Sequence, residues 1–191
     1  MTIAAYHNLS TKRIDDIIRE VSAKEILPRW KQLQDHEIKT KTGPSDLVTD
    51  ADIQAEKALT EIFEKEFPGC VVIGEEAVSR GDVDMQSILK DPPEVLFIID
   101  PMDGTWNFAH GSEVFACMVA CLYKGETVMS WIYDITKDTS AIAEKGQGSF
   151  YGDEKLKARP TKLRSEIDGY IGLSFIPELI RPQIEENIQK V

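Results

Sequence analysis

Carboxylates are concentrated at three places in the sequence where an apolar run ends or a helix is predicted to begin. They are Asp100 with Asp103, Glu75 with Glu76, and Asp50 with Asp52. If such groups converge without a cation, each like-charged pair about 4 Å apart costs on the order of 4 kcal/mol at an effective dielectric of about 20. A divalent cation reverses the sign of that interaction, so together the three places favour a metal site.

The densest of these places is the segment 100–108. Pro101 holds Asp100 in an extended conformation and fixes its own φ, whereas Gly104 permits an unusual φ. The chain can therefore turn sharply after a buried strand that ends at Asp100. The turn should bring Asp103 to the same side as Asp100, and Thr105 would begin a short helix whose free N–H groups attract an anion.

The ligand types indicate which metal would bind. An all-oxygen set favours Mg²⁺ over Zn²⁺, and His7, His36 and His110 share no zinc-ligand spacing. An alternative remains open for each motif taken singly. Asp-Pro-x-Asp-Gly also makes a good turn, and Gly-Glu-Glu also suits a solvated loop.

The composition excludes several classes of protein. Among 191 residues, 22 Lys and Arg stand against 33 Asp and Glu, which gives a net charge of −11 and a pI near 4.8. Nucleic acid as the main ligand is excluded, because phosphate backbones require a basic surface. The longest apolar run, 114–123, is too short to cross a membrane, and no secretory signal is visible. Cys70, Cys117 and Cys121 are interpreted as reduced core residues of a cytoplasmic protein.

The periodicity predicts two helices followed by a series of strands. One helix follows Ser10, and a second runs from Thr49 or Asp50 to Pro68. The segment 36–45 between them is predicted to be a mobile loop or a loose hairpin. Strands are expected at 70–73, 95–99, 114–123, 127–135, 140–144, 148–151 and 169–175, with a closing helix at 177–191. This order predicts an α+β architecture, with helices packed on a mostly antiparallel sheet.

The sequence resembles the inositol monophosphatase family of Mg²⁺-dependent, lithium-sensitive phosphatases. The resemblance rests on three blocks in the family's order, 46–52, 73–76 and 100–108, and it covers nearly the whole chain. It implies a layered α-β-α-β-α sandwich, of which this chain would hold the first half and the start of the second. Residues 1–155 would form the N-terminal metal-binding domain, and 156–191 the incomplete start of a C-terminal α/β domain.

The resemblance also implies a set of metal ligands. Glu75, Asp100 and the main-chain carbonyl of Met102 would hold one Mg²⁺ ion. Asp100 would bridge to a second ion that Asp103 also binds, and Glu75 would help to hold a third, weaker ion. Lys41 matches a loop lysine near that third ion.

Catalytic and phosphate-binding roles follow from the same resemblance. Glu75, Asp52 and Thr105 would be catalytic, with Asp52 and Thr105 paired to orient and deprotonate the attacking water. The backbone N–H groups of Gly104 and Thr105 would hold the phosphate, and Asp103 would also line the substrate position. In two-metal phosphoryl chemistry one ion generates the nucleophile and the other stabilises the leaving oxygen, without a covalent intermediate.

The implied function is hydrolysis of an inositol monophosphate or a related sugar phosphate by a cytoplasmic homodimer. A 3′-phosphonucleotide or fructose bisphosphate is an alternative substrate within the wider superfamily. A different alternative is a truncated, catalytically incompetent member that acts as a binding or dimerisation partner. Neither a nucleic acid nor a membrane is expected as a partner.

Two departures from the family pattern bear on these alternatives. The family carries a further metal-binding aspartate in a Trp-Asp motif, and none of Trp30, Trp106 and Trp131 is followed by aspartate. The chain is therefore expected to be a fragment or a truncated member that lacks this ligand. Trp106 stands where smaller or polar residues are common, and it either crowds the phosphate entrance or simply packs.

Overall fold

A computed structural model describes residues 9–33, 38–40, 47–158, 160, 172–173 and 176–188. The chain divides into two compact units, Met1–Leu156 and Lys157–Val191. The assignment of residues 1–155 to a metal-binding domain and of 156–191 to the start of a C-terminal domain remains a prediction. Most of the strand predicted at 169–175 lies outside the described residues, and the short described piece 172–173 is not part of a strand.

The first helix, α1 (Thr11–Val21), begins where the sequence predicts. The Ser10 side chain accepts a hydrogen bond from the Arg13 N–H, which satisfies one of the free donors of the first turn. One face of the helix is buried, and its apolar members are Ile14, Ile17, Ile18 and Val21. The helix continues as a π turn, Ser22–Ile26, and a 3-10 turn, Leu27–Arg29, that contains Pro28. Trp30 then leaves in an extended conformation, as expected after a proline break.

A small hairpin precedes the second helix. Strand β1 (Ile38–Thr40) pairs antiparallel with β2 (Leu47–Thr49), which agrees with the hairpin alternative predicted for this segment. Helix α2 (Asp50–Glu66) follows β2 without a loop. Thr49 caps α2 in a reciprocal capping box with Asp52, so the start of this helix is fixed by a buried carboxylate.

The remaining strands of the first unit form one seven-stranded sheet in the order β3-β4-β5-β6-β7-β8-β9. Only β3 and β4 pair in parallel, and every other neighbouring pair in this sheet is antiparallel. The elements after α2 are, in chain order, β3 (Val71–Gly74), α3 (Glu75–Arg80), α4 (Met85–Lys90), β4 (Val95–Asp103), α5 (Thr105–Ala109), β5 (Ala116–Tyr123), β6 (Glu126–Asp134), β7 (Thr139–Glu144), β8 (Gly148–Tyr151) and β9 (Glu154–Lys155). In the second unit, α6 (Arg181–Ile188) lies within the predicted closing helix.

Helices α1 and α2 cover one face of the sheet. Phe63 of α2 stacks on Phe97 of β4 with ring centroids 4.5 Å apart, and both rings are fully buried. Cys117 and Cys121 of β5 are buried on the same side and are free thiols, as predicted. A helix layer against a mostly antiparallel sheet confirms the predicted α+β class.

Helix α1 is tied to strands that lie far along the sequence. The Trp131 indole N–H donates to the Thr11 carbonyl over 3.1 Å, which joins β6 to the start of α1. Arg19 Nη2 donates to Ser140 Oγ over 3.1 Å, and the Ser140 hydroxyl donates to the buried Asp15 carboxylate. These contacts lock α1 onto β6 and β7.

The opposite face of the sheet is partly exposed. Ile98 of β4 and Ile132 of β6 are 42% and 50% exposed, and with Met118 of β5 they line an open, apolar cavity of about 540 Å³. Among the helices that the structure describes, none combines the length and the apolar character that crossing a membrane requires.

Candidate functional site

The parallel pairing of β3 and β4 places Glu75 beside Asp100. Gly74 pairs with Ile99 in the register, so the next residue of each strand carries its carboxyl group to the same edge of the sheet. Burial, followed by the charge and hydrogen bonding of Glu75, raises the pKa of Asp100 from 3.8 to about 8. One oxygen of Asp100 also accepts the Met102 N–H over 3.0 Å. The two carboxyl groups are therefore stable side by side only when a proton or a cation lies between them.

Strand β4 continues beyond the point where the sequence predicted its end. It runs to Asp103, although the prediction ended it at Asp100. From Asp100 to Asp103 this strand advances three residues, whereas its partner β5 advances two, from Met118 to Ala116. Such a bulge bends the strand and redirects its side chains. The pairing with β5 was not visible in the local sequence, and it carries the chain through the proline.

The predicted ligands line one cavity. Its volume is about 250 Å³, and its walls are formed by Leu47, Glu75, Asp100, Met102, Asp103, Gly104, Thr105 and Trp106. No three Asp, Glu, His or Cys side chains of the described residues are grouped closely enough to hold a metal ion. The structure thus brings Glu75 and Asp100 into contact and leaves Asp103 on the wall of the same cavity. Lys41 lies outside the described residues.

The donor types on this wall suit a hard divalent cation, although the described side chains are not gathered around one point. The donors are two adjoining carboxyl groups, a third carboxyl group on the same cavity and the main-chain carbonyl of Met102, and all supply oxygen. Oxygen ligands of this kind suit Mg²⁺. The raised pKa of Asp100 supports cation binding at this place. A bound cation would relieve the same repulsion between carboxylates that a proton relieves when no cation is bound.

A buried carboxylate and a hydroxyl form a second part of the site. Asp52 is 1% exposed, and its Oδ2 accepts both the N–H and the hydroxyl of Thr49, over 2.8 and 2.5 Å. Its Oδ1 lies 2.9 Å from Thr105 Oγ1, which is also 3.1 Å from the Met102 carbonyl oxygen. Burial raises the pKa of Asp52, while the hydrogen bonds from Thr49 and Thr105 oppose that change. Asp52 therefore links the start of α2 to the start of α5.

Gly104 allows the chain to turn from β4 into α5. Its φ is +95°, and a Cβ atom there would lie 2.9 Å from the Val114 carbonyl oxygen. Both the backbone conformation and the close approach of the β5 side of the sheet thus require glycine. The turn presents the Thr105 hydroxyl to Asp52.

We expect Gly104→Ala to lower the melting temperature clearly more than Gly81→Ala does. Gly81 also has a positive φ, +78°, but its added methyl group would meet no atom within 4 Å. The control therefore carries only the backbone strain, roughly 1–2 kcal/mol, whereas Gly104→Ala adds a steric clash with the backbone. Thermal denaturation of both variants measures the difference, and equal losses would show that the contact with Val114 is unimportant.

Glu56 is a site-forming residue that the sequence analysis missed. It is 5% exposed on α2, and its two carboxylate oxygens accept the N–H groups of Glu76 and Ala77 over 2.7 and 2.9 Å. A Cβ at Gly74 would lie 2.2 Å from the Glu56 side chain, so β3 passes directly against it. The carboxylate thereby holds the turn that carries Glu75. Its position four residues after Asp52, on the same helix face, was the available signal.

We expect Glu56→Ala to destabilise the protein by on the order of 3 kcal/mol, because two N–H groups at the start of α3 lose their acceptor. Glu61→Ala is the matched control, since the Glu61 side chain is 67% exposed on the same helix and should change stability little. Urea denaturation of both variants gives the two free energies of unfolding. A similar small loss in both would mean that water replaces the Glu56 carboxylate.

Trp106 is not part of the core and lines the cavity. It is 48% exposed and stacks on His110 with ring centroids 4.0 Å apart. His110 Nδ1 in turn donates to the Trp106 carbonyl oxygen over 2.7 Å. The indole therefore forms part of the cavity wall next to Thr105.

Comparisons with known proteins agree with this arrangement. The model of the inositol monophosphatase family matches residues 13–177. Inositol monophosphatase 1 of Sus scrofa is 34% identical over 146 residues, which are 75% of this chain and 51% of that protein. Inositol-1-monophosphatase of Bacillus subtilis is 35% identical over 147 residues, 75% of this chain and 52% of that protein. The chain thus spans about half the length of these curated relatives.

Solved structures show the same fold. The Thermotoga maritima IMPase superposes with a TM-score of 0.65 at 27% identity, over 78% of this chain and 54% of that one. Staphylococcal IMPase-II gives a TM-score of 0.70 at 26% identity, over 98% of this chain and 62% of that one. These similarities confirm the layered fold that the three sequence blocks implied.

Proposed function

Since the chain belongs to the inositol monophosphatase family, we propose that it hydrolyses the monophosphate ester of inositol or of a related small polyol, with Mg²⁺ as its cofactor. One observation carries the proposal. The contacting carboxyl groups of Glu75 and Asp100 share a cavity with Thr105, whose hydroxyl lies 2.9 Å from the buried Asp52. Oxygen donors for a cation thus adjoin a hydroxyl backed by a carboxylate.

The metal ligands in this proposal are Glu75, Asp100, Asp103 and the carbonyl of Met102, and they would hold two to three ions. When bound, Mg²⁺ acidifies a coordinated water and neutralises charge on the phosphoryl oxygens. The carboxylates themselves repel a phosphate, so an ester can approach this acidic cavity only after cations have entered it. The charge of the cavity walls therefore supports the proposed Mg²⁺ dependence.

Asp52 and Thr105 would handle the proton of the attacking water. If the Thr105 hydroxyl donates to Asp52 Oδ1, its lone pairs are free to accept a hydrogen bond from a water in the cavity. The water proton can then pass to Thr105 while the threonine proton passes to Asp52. Thr49 holds the other oxygen of Asp52, which fixes the carboxylate in this orientation.

The phosphate would be held at the start of α5. The Gly104 turn leaves the N–H groups of Gly104 and Thr105 without partners inside the helix, and both residues line the cavity. Asp103 lies next to them, so a cation that it helps to bind would adjoin the same phosphate.

The direct test is phosphate release by the purified chain from inositol 1-phosphate. We expect release with Mg²⁺ and none with a chelator, and we expect Asp100→Asn to abolish it. Calorimetry with Mg²⁺ and the ester would show whether binding occurs without turnover. That result would favour the non-catalytic alternative, a binding or dimerisation partner.

Further parts of the proposal concern inhibition, assembly and location. The protein would be inhibited by lithium, would form a homodimer and would reside in the cytoplasm. The free thiols of Cys70, Cys117 and Cys121 suit a reducing compartment. Lithium titration of the phosphate release and sedimentation of the purified chain test the first two properties.

A further inference from the structure

An exposed aromatic residue lines the candidate site next to Thr105. Trp106 directly follows Thr105, and both line the cavity that Glu75, Asp100 and Asp103 also line. The indole is 48% exposed, whereas Met102, another apolar side chain of the same wall, is 1% exposed. A large apolar surface therefore stands beside an otherwise acidic site.

The ring is held in place before any ligand arrives. His110 lies one helical turn after Trp106 and stacks on it at 4.0 Å with an interplanar angle of 26°. The hydrogen bond from His110 Nδ1 to the Trp106 carbonyl oxygen, 2.7 Å long, fixes the imidazole in that position. One part of the indole is thus covered by a ring of the same helix, and the remainder is open. A side chain already ordered loses little conformational freedom when it binds a ligand.

We propose that the open part of the Trp106 indole stacks on a planar, aromatic leaving group, so that the site binds aryl and nucleoside monophosphates more tightly than esters of saturated rings. This inference rests on the proposed function, because it places the phosphate at Gly104 and Thr105. A planar π system gains from stacking on an indole, whereas a polyol ring offers only C–H groups and hydroxyls. Stacking of this kind tolerates many ring types, since each nucleobase or aryl ring has a π face.

A matched pair of ligands that cannot be hydrolysed tests the inference without relying on turnover. Phenylphosphonate and cyclohexylphosphonate carry the same anionic group on six-membered rings, one planar and one saturated. Calorimetry in the presence of Mg²⁺ measures both dissociation constants on the full chain. We expect phenylphosphonate to bind roughly tenfold more tightly, in line with stacking energies measured by alanine substitution.

Two variants separate stacking from a general effect on the site. Trp106→Ala should remove most of the preference and leave the affinity for cyclohexylphosphonate nearly unchanged. Trp106→Phe keeps an aromatic face and should retain a preference for the phenyl ligand. Thermal denaturation of both variants checks that the fold is intact, as expected for a half-exposed side chain.

The contrary outcomes are distinct. Equal, Mg²⁺-dependent binding of the two phosphonates, or a preference that survives Trp106→Ala, would overturn the role of Trp106 and leave the proposed phosphatase site standing. If neither phosphonate binds with Mg²⁺ present, the phosphate site itself is wrong, and both proposals fail together.

Discussion

In the presence of a chelator, the protein should melt at progressively lower temperature as the pH is raised from about 4 to about 8, through the contribution of Asp100. The pKa of this carboxyl group is raised from 3.8 to about 8 in the folded chain. Between those values the folded state binds a proton that the unfolded state has lost, so stability falls as the pH rises. Asp100→Asn should remove this contribution, and the variant should melt on the order of 5 °C above the parent at pH 8.

Adding Mg²⁺ at pH 8 should raise the melting temperature of the parent protein but not that of Asp100→Asn. A ligand that binds the folded state alone raises its stability in proportion to the logarithm of its concentration. The burial of Asp100 and the neighbouring charges of Glu75 and Asp103 all disfavour ionisation, and a cation offsets each of them. If parent and Asp100→Asn show parallel pH profiles without metal, the carboxyl pair is not held in contact as the structure shows.

The second large effect is expected from Thr105→Val, an isosteric change that removes one hydroxyl. If Thr105 passes the proton of the attacking water to Asp52, the rate of Mg²⁺-dependent phosphate release should fall by about 10²–10⁴-fold. The Mg²⁺ affinity should change little, because the carboxylates are untouched. Phosphate release and calorimetry with Mg²⁺ measure the two quantities separately.

Thr60→Val is the control for this experiment. The Thr60 hydroxyl donates to the Glu56 carbonyl oxygen over 2.8 Å on α2, so the same isosteric change removes a hydrogen bond outside the cavity. We expect normal phosphate release from this variant. If Thr105→Val retains the parent rate, a group other than Thr105 accepts the proton of the attacking water. If the rate falls in both variants, the cause is a general effect of removing a threonine hydroxyl.

The features predicted well from the sequence depend on neighbours within a few residues. The Ser10 cap of α1 and the start of α2 near Thr49 follow from local sequence signals, which short stretches of sequence reveal. Short, nearly continuous apolar runs and hairpin turn signals similarly identified the strands.

The features that the sequence did not reveal depend on partners far along the chain. Glu56 binds N–H groups of residues 20 and 21 positions later, and its spacing from Asp52 indicates a shared helix face but not these partners. The extension of β4 to Asp103 depends on pairing with Ala116. The metal ligation implied by the family resemblance remains a prediction. The contact between the two carboxyl groups shows a repulsion that a cation would relieve, but it does not show a cation.

The attachment of α1 to β6 and β7 has a consequence for synthesis of the protein. Thr11 and Trp131, which share a hydrogen bond, are 120 residues apart. At a synthesis rate of about 5–20 residues per second, α1 waits roughly 6–24 s after its own translation before its docking surface exists. Until then the isoleucines of its buried face have no sheet to cover them. A ribosome-associated chaperone that shields this helix would therefore act mainly before residue 140 has left the exit tunnel.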